Sequence, residues 1–133
     1  MATRELEVTV RHRGETAILD LSGDVDSSAE ATLQRAYDEA SASGGPVVLN
    51  FAAAEYINST GIALIVGLLA QARARSMQVA ACGLSDHYRE IFEITRLADF
   101  MTIADNEEGA VSGAGSSVPP PRSVTWTTTL SSA

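Results

Sequence analysis

The fold of this chain is decided by residues 46–70, which read PVVLNFAAAEYINSTGIALIVGLLA. Residues 46–51 are apolar on both sides of an extended chain, which is typical of a central strand. Residues 54–60 carry polar and turn-forming side chains and predict a loop. From about Thr60 to Ser76 the chain is apolar nearly all round in its first half and predicts a long helix. A buried strand, a loop and a helix in this order indicate an α/β domain.

On the N-terminal side of this stretch, the pattern predicts a hairpin and a helix. Apolar and polar residues alternate over residues 5–10, and residues 16–21 form the second strand of the hairpin. Gly23–Asp26 ends this strand, and Ser27 with Glu30 has the spacing of a capping box. The apolar face of the helix that follows is expected to contain Leu33, Ala36, Tyr37 and Ala40.

On the C-terminal side, residues 77–82 predict another buried strand and residues 100–104 a last short strand. Ser85 is placed to cap a third helix between them. The residues of this helix spaced to face the core are Tyr88, Ile91, Phe92 and Thr95. The element order β-β-α-β-α-β-α-β therefore predicts a mixed sheet of about five strands.

The length of 133 residues is typical of one domain. We expect this domain to span residues 4–108. Residues 109–133 are rich in Ser, Gly and Thr and contain three consecutive prolines, Pro119 to Pro121. This composition cannot build a core, so we predict a flexible tail.

The charge balance limits the classes of partner. The chain has 17 acidic and nine basic residues and a formal charge of −8, and all nine basic residues are arginine. The acidic balance disfavours nucleic acid as a direct partner. One cysteine, Cys82, and two distant histidines, His12 and His87, do not provide a metal site or a disulfide framework.

The hydropathy pattern disfavours membrane insertion. The longest apolar run, Gly61–Ala70, covers ten residues, whereas a membrane-spanning helix needs about 20. The N-terminus turns acidic at once and lacks the apolar segment of a signal peptide. We therefore expect a soluble, cytoplasmic protein.

Asn58, Ser59 and Thr60 lie where the loop meets the predicted long helix, and this position has two interpretations. Ser59 or Asn58 could simply be the N-cap that accepts hydrogen bonds from the first turn. Alternatively, the partial positive charge of the helix N-terminus would tolerate a phosphate on Ser59. The spacing alone leaves both open.

Two further groups of residues have a structural and a functional interpretation. Asp24 and Asp26 could be paired carboxylates, but no third acidic ligand or histidine completes a metal or acid–base site, so capping is favoured. Gly61, Ala63 and Gly67 could admit a partner surface or allow close packing, and packing is the commoner use. We predict no catalytic site, no metal and no cofactor.

Three stretches together resemble the STAS domain, and most closely the bacterial anti-sigma-factor antagonists. They are residues 51–67 (FAAAEYINSTGIALIVG), residues 21–26 (LSGDVD) and residues 82–97. The resemblance covers about residues 5–105. It implies a single STAS-like α/β domain whose helices pack mainly on one face of the mixed sheet. The family usually closes with a fourth helix, for which residues 106–113 predict at most two turns.

The resemblance also implies a function in partner switching, without enzymatic activity. In the family, the unphosphorylated antagonist binds an anti-sigma factor, commonly a serine-protein kinase, and so regulates sigma-factor-dependent transcription. Phosphorylation inactivates the antagonist, and a PPM-type phosphatase reverses it. By position the acceptor is Ser59, with Thr60 as the alternative. The partner-binding positions would be Asp24, Asp26, Asn58, Ser59, Thr60, Gly61 and Ile62.

The resemblance leaves alternatives, because Asn58 stands where the family motif has aspartate. A phosphorylation-independent STAS adaptor, in a signalling scaffold or a lipid-transport ATPase complex, is the second hypothesis. A small-ligand or nucleotide-binding domain is the third, since the helix N-terminus at Ser59 could hold a phosphate.

Overall fold

The computed structural model of the protein describes residues 5–115, which form one five-stranded sheet with four α-helices. The strands are β1 (Glu7–Arg13), β2 (Thr16–Val25), β3 (Val47–Ile57), β4 (Val79–Cys82) and β5 (Thr102–Ile103). The helices are α1 (Glu30–Ser41), α2 (Ser59–Ala74), α3 (Asp86–Ile94) and α4 (Glu107–Gly115), with 3₁₀ turns at Ser27–Ala29 and Leu97–Asp99. The strand order is β1-β2-β3-β4-β5, in which β1 is antiparallel and the others are parallel. The predicted mixed sheet is confirmed.

The helices are divided unequally between the two faces of the sheet. Alternate strand residues such as Leu19 and Leu49 belong to a large core cluster that includes buried side chains of α1, α2 and α3. Their neighbours Ile18 and Val48 face the other way and meet Ala110 of α4. Because side chains alternate across a strand, α1–α3 cover one face and α4 covers the other. The expected packing of most helices on one face is confirmed.

Two strands are longer than the sequence predicted. β2 continues through Val25 instead of ending near residue 21, and β3 continues through Ile57 where a loop was expected. The two extensions pair with each other, Val25 opposite Ile57. The register shifts between Gly23 and Asp24, and Gly23 has a φ of 107°, which a residue with a side chain rarely adopts. The prediction was wrong because this pairing joins segments far apart in sequence.

The starts of the helices show which local signals were correct. Ser85 caps α3, as predicted, and accepts a hydrogen bond from the Tyr88 N–H. The capping box at Ser27 was wrong: Asp26 caps the 3₁₀ turn, and α1 begins only at Glu30. The predicted apolar face of α1 is confirmed, since all four of its residues are buried. In α3, Phe92 is buried but Thr95 is exposed, because it follows the last helical residue.

The fourth helix is held by ion pairs as well as by apolar contact. Glu107, in its first turn, accepts hydrogen bonds from Arg11 at 2.8 Å and Arg13 at 3.2 Å, both on β1. Arg11 also pairs with Asp20, which accepts a further bond from the Asn50 amide at 2.8 Å. Hydrogen bonds from Arg11 are the main cause that lowers the pKa of both carboxyls.

This attachment bears on the predicted domain boundary. The boundary after residue 108 falls inside α4, because Ala110 is fully buried against the sheet and Glu107 anchors the first turn. The nine-residue helix therefore forms despite its glycines. The rest of the predicted tail, residues 116–133, lies outside the described residues. Within residues 5–115, every helix is too short or too polar to cross a lipid bilayer.

Candidate functional site

The start of α2 lies at the carboxyl ends of the two longest parallel strands. Val25 of β2 and Ile57 of β3 are partners in the sheet, and the Asn58 N–H donates to the Val25 carbonyl at 3.2 Å. Side chains that follow the two strands therefore meet at one edge. Open α/β sheets commonly carry their binding sites at such an edge.

Asn58 is the N-cap of α2. Its backbone is extended, with φ −95° and ψ −177°, and its Oδ1 atom accepts a hydrogen bond from the Gly61 N–H at 2.8 Å. Its carbonyl accepts from the Ile62 N–H at 2.9 Å and so starts the helix ladder. Of the two residues that the sequence left open for this task, Asn58 performs it.

Because Asn58 is the cap, the Ser59 side chain is not needed to accept a hydrogen bond from the first turn of α2. It is the first residue of α2 and is exposed, as is Thr60 beside it. Among the hydrogen bonds within residues 5–115, none uses the Ser59 hydroxyl. The positive end of the helix dipole lies at this first turn.

Gly61 explains how α2 comes so close to β2. A Cβ atom built on Gly61 would lie 2.0 Å from the Val25 carbonyl oxygen, so no side chain fits there. The packing interpretation holds for this glycine. It was wrong for Gly67, whose Cβ would meet nothing within 4 Å, and for Ala63, which is exposed.

Asp24 is the second-last residue of β2 and Asp26 follows the strand, and the two aspartates differ in exposure. Asp24 is 8% exposed. Asp26 is half-buried, and its Oδ1 atom accepts hydrogen bonds from the Ser28 N–H at 3.0 Å and the Ser28 hydroxyl at 2.6 Å. Residues 5–115 contain no group of three His, Cys, Asp or Glu side chains placed to hold a metal ion. Asp26 thus has the capping role that its spacing allowed.

Two exposed apolar side chains, one before α2 and one on it, were not predicted from the sequence. Tyr56, near the end of β3, is 52% exposed, and Val66, on the outer side of α2, is 45% exposed. Tyr56 was overlooked because its segment was taken as a loop. Val66 could have been found, because helical spacing places it outside the buried stripe of α2 that holds Ile65, Leu68 and Ala72. Ile62, at the same helix start, is half-buried and packs against the core.

Other chemically notable groups lie away from this edge. Cys82 is buried, and burial is the main cause that raises the pKa of its thiol, which agrees with an inert core cysteine. An open depression of about 400 Å³ lies at the opposite end of the sheet, beside the amino ends of β2 and β3. It is lined by His12, Gly14, Glu15, Ser43, Gly44 and Gly45.

Comparison with solved structures supports the fold. An anti-sigma factor antagonist from Mycobacterium paratuberculosis superposes with a TM-score of 0.72 at 15% identity, covering 83% of this chain and 94% of that one. The Bacillus cell fate determinant SpoIIAA in its phosphorylated form superposes with a TM-score of 0.61 at 22% identity, covering 80% and 97% of the two chains.

Sequence comparison gives the family. The protein named anti-sigma-B factor antagonist from Listeria monocytogenes is 28% identical over 111 residues, which is 81% of this chain and 96% of the relative. The family model of the STAS domain matches residues 7–110. With most of its length matched by that model and with the same fold, the chain belongs to the STAS domain family.

Proposed function

We propose that this protein is an anti-sigma-factor antagonist. It binds an anti-sigma factor through the surface at the carboxyl ends of β2 and β3, where α2 begins. Phosphorylation of Ser59 by a serine kinase that is the anti-sigma factor itself weakens this complex. A PPM-type phosphatase restores it. The chain acts by exchanging partners and carries out no catalysis of its own.

One observation carries the proposal: Asn58 caps α2, so the Ser59 hydroxyl is exposed and unused at the first helical position. A phosphate there would sit at the positive end of the helix and would not disturb the cap. The name of the Listeria monocytogenes relative supports the same class of function.

The surroundings of Ser59 favour an effect on binding. Tyr56, three residues before Ser59, and Val66, two turns further along α2, offer exposed apolar area of the kind that protein partners cover. A phosphate adds about 1.5 to 2 negative charges next to an edge that already carries Asp24 and Asp26. A partner that covers this surface would have to desolvate that charge, so its affinity falls.

Measuring the affinity for the anti-sigma factor of the same organism tests whether a negative charge at Ser59 weakens the complex. We expect Ser59→Ala to bind like the unmodified protein, and Ser59→Asp to bind about a hundredfold more weakly, a loss of about 3 kcal/mol. The matched control is Ser43→Asp, which adds the same charge to an exposed loop at the other end of the sheet. Equal weakening by both aspartates would contradict a site at Ser59.

Asn58 favours a second candidate, a STAS adaptor that binds constitutively. An aspartate would cap the helix with the same geometry, so the difference at this position is the charge next to the acceptor. If the kinase recognises that charge, Ser59 is not modified.

Intact mass after incubation with ATP and the anti-sigma kinase separates the two candidates. The antagonist predicts one added phosphate that is lost in Ser59→Ala and retained in Thr60→Ala. The adaptor predicts no added phosphate from a kinase that is active and bound. Asn58→Asp would then restore phosphorylation if the missing carboxylate is the reason.

A further inference from the structure

The outer edge of β1 is a strand edge that no other strand of the described part of the chain pairs with. β1 is the first strand of the sheet and pairs with β2 alone, whereas the opposite edge strand, β5, has only two residues. An edge strand presents free N–H and C=O groups that can pair with a strand of another molecule. The seven residues of β1 are long enough for such pairing.

The side chains of β1 divide cleanly between the two faces of the sheet. Val8 and Val10 pack against the core beneath α1–α3. Arg11 and Arg13 lie on the opposite face, where both reach Glu107 of α4. By alternation, the odd-numbered residues of β1 share that second face. Glu5 lies two residues before β1, and the buried Leu6 between them continues the core side of the alternation.

The charges on this second face are antisymmetric about Thr9. Residues 5–13 read ELEVTVRHR, with two glutamates before Thr9 and two arginines after it. If two copies of the strand pair antiparallel with Thr9 opposite Thr9, then Glu7 lies opposite Arg11 and Glu5 lies opposite Arg13. Every charged position on this face meets the opposite charge, and on the other face Val8 meets Val10. Parallel pairing in register would place like charges together and would be unfavourable.

We propose that two copies of this chain associate along the edge of β1, antiparallel and in register about Thr9, to form a two-fold symmetric dimer. The interface is isologous, as a two-fold axis requires, and it joins the two sheets into one. The arginines are available for it: the side chains of Arg11 and Arg13 are 40% and 42% exposed. A guanidinium has five N–H donors. Arg11 donates four hydrogen bonds to Asp20 and Glu107, which leaves one N–H for the partner's glutamate, whereas Arg13 donates one to Glu107 and keeps the others.

A cysteine placed on the two-fold axis tests the register. In a Cys82→Ala background, Thr9→Cys brings two thiols together, because directly opposite Cα atoms lie about 4.5–5.5 Å apart, within the range of a disulfide. The matched control is Glu5→Cys, whose two copies would be about 27 Å apart in this register at about 3.4 Å per residue. We expect Thr9→Cys to form a covalent dimer under mild oxidation and Glu5→Cys to stay monomeric. Equal cross-linking of both variants, or none of Thr9→Cys, would overturn the proposal.

Sedimentation equilibrium of the full chain tests the charge pattern without a cross-link. Glu5→Arg with Glu7→Arg replaces attraction by repulsion at each pair and should raise the dimer dissociation constant by about tenfold or more. Glu90→Arg with Glu93→Arg changes the net charge equally on the exposed side of α3 and should leave the constant unchanged. Circular dichroism checks that both variants fold. A wild-type chain that stays monomeric up to about 1 mM, or equal weakening by the two double variants, contradicts the dimer.

Discussion

The two faces of the sheet are covered by different physical means. On one face, three helices bury a continuous cluster of apolar side chains that extends from Leu6 to Met101. On the other face, α4 covers only a small group, Ile18, Val48, Ala80 and Cys82, with Ala110 as its buried contact. The second face is secured in addition by the pairing of Glu107 with Arg11 and Arg13. Burial of a large apolar area is enough to hold α1–α3 on the sheet. The nine-residue helix α4 buries little apolar area, so ion pairs add to its attachment.

The sharpest test of this difference uses neighbouring isomeric side chains on β2. Leu19 faces α1–α3 and Ile18 faces α4, and both are completely buried. We expect Leu19→Ala to lower the free energy of unfolding by about 4 kcal/mol and Ile18→Ala by about 2 kcal/mol, since the cost depends on how far the site can collapse. The short helix α4 can move into the space more easily than three interlocked helices. Urea unfolding of both variants measures this, and equal losses would mean that the faces are equally rigid.

A second test compares two glycines of the same helix on the larger face. Gly61→Ala places a methyl group against the Val25 carbonyl oxygen and should cost about 2 kcal/mol through overpacking. Gly67→Ala meets open space and should stabilise the protein by about 0.5–1 kcal/mol, because alanine favours helix. Thermal unfolding of the two variants and the wild type shows whether each substitution lowers or raises the stability. A stable Gly61→Ala variant would show that α2 can move away from β2 at the candidate site.

The smallest change in the free energy of unfolding is expected when the ion pairs between α4 and β1 are removed. Arg11 lowers the pKa of Glu107 and of Asp20 in the folded protein, so their contribution is present above the unfolded pKa values and is lost as the pH falls through the folded ones. Glu107→Gln should therefore reduce stability at pH 7 by about 0.5–1 kcal/mol, as for a partly exposed pair. The difference from the wild type should shrink as the pH falls below about 4.

The control for this ion-pair test is Glu108→Gln, which changes the exposed neighbouring carboxylate in the same helical turn. Hydrogen exchange of the α4 amides gives the second readout, and it should accelerate in Glu107→Gln alone. Equal changes in the two variants would indicate a general effect of net charge and not the pairing with β1.

Much of the fold could be predicted from the sequence, because buried residues recur along helices and strands with a characteristic spacing. The spacing of Leu33 and Tyr37 identified the inner face of α1, and Ser85 identified the start of α3. The capping signal at Ser27 failed because Asp26 competes for the same task one residue earlier and takes the first turn into a 3₁₀ conformation. Local signals are therefore reliable where one residue offers a cap and ambiguous where two do.

The candidate site was predicted in part. The sequence placed Asn58, Ser59 and Thr60 at a helix start, and the structure assigned the cap to Asn58. It did not predict the exposed Tyr56 or Val66, since an apolar side chain carries no local mark of whether another element covers it. The binding and phosphorylation experiments described above test the proposed roles of Ser59 and of the aspartates.

The sequence by itself determined the order of the elements, the inner face of α1 and the position at which α2 begins. These depend on alternation, helical spacing and turn residues, which act over a few positions. The tertiary structure decided the lengths of β2 and β3, the close approach of Gly61 to Val25, and the docking of α4 through Glu107. Each of these depends on a partner far along the chain, so its free energy is set by a contact that no local pattern records.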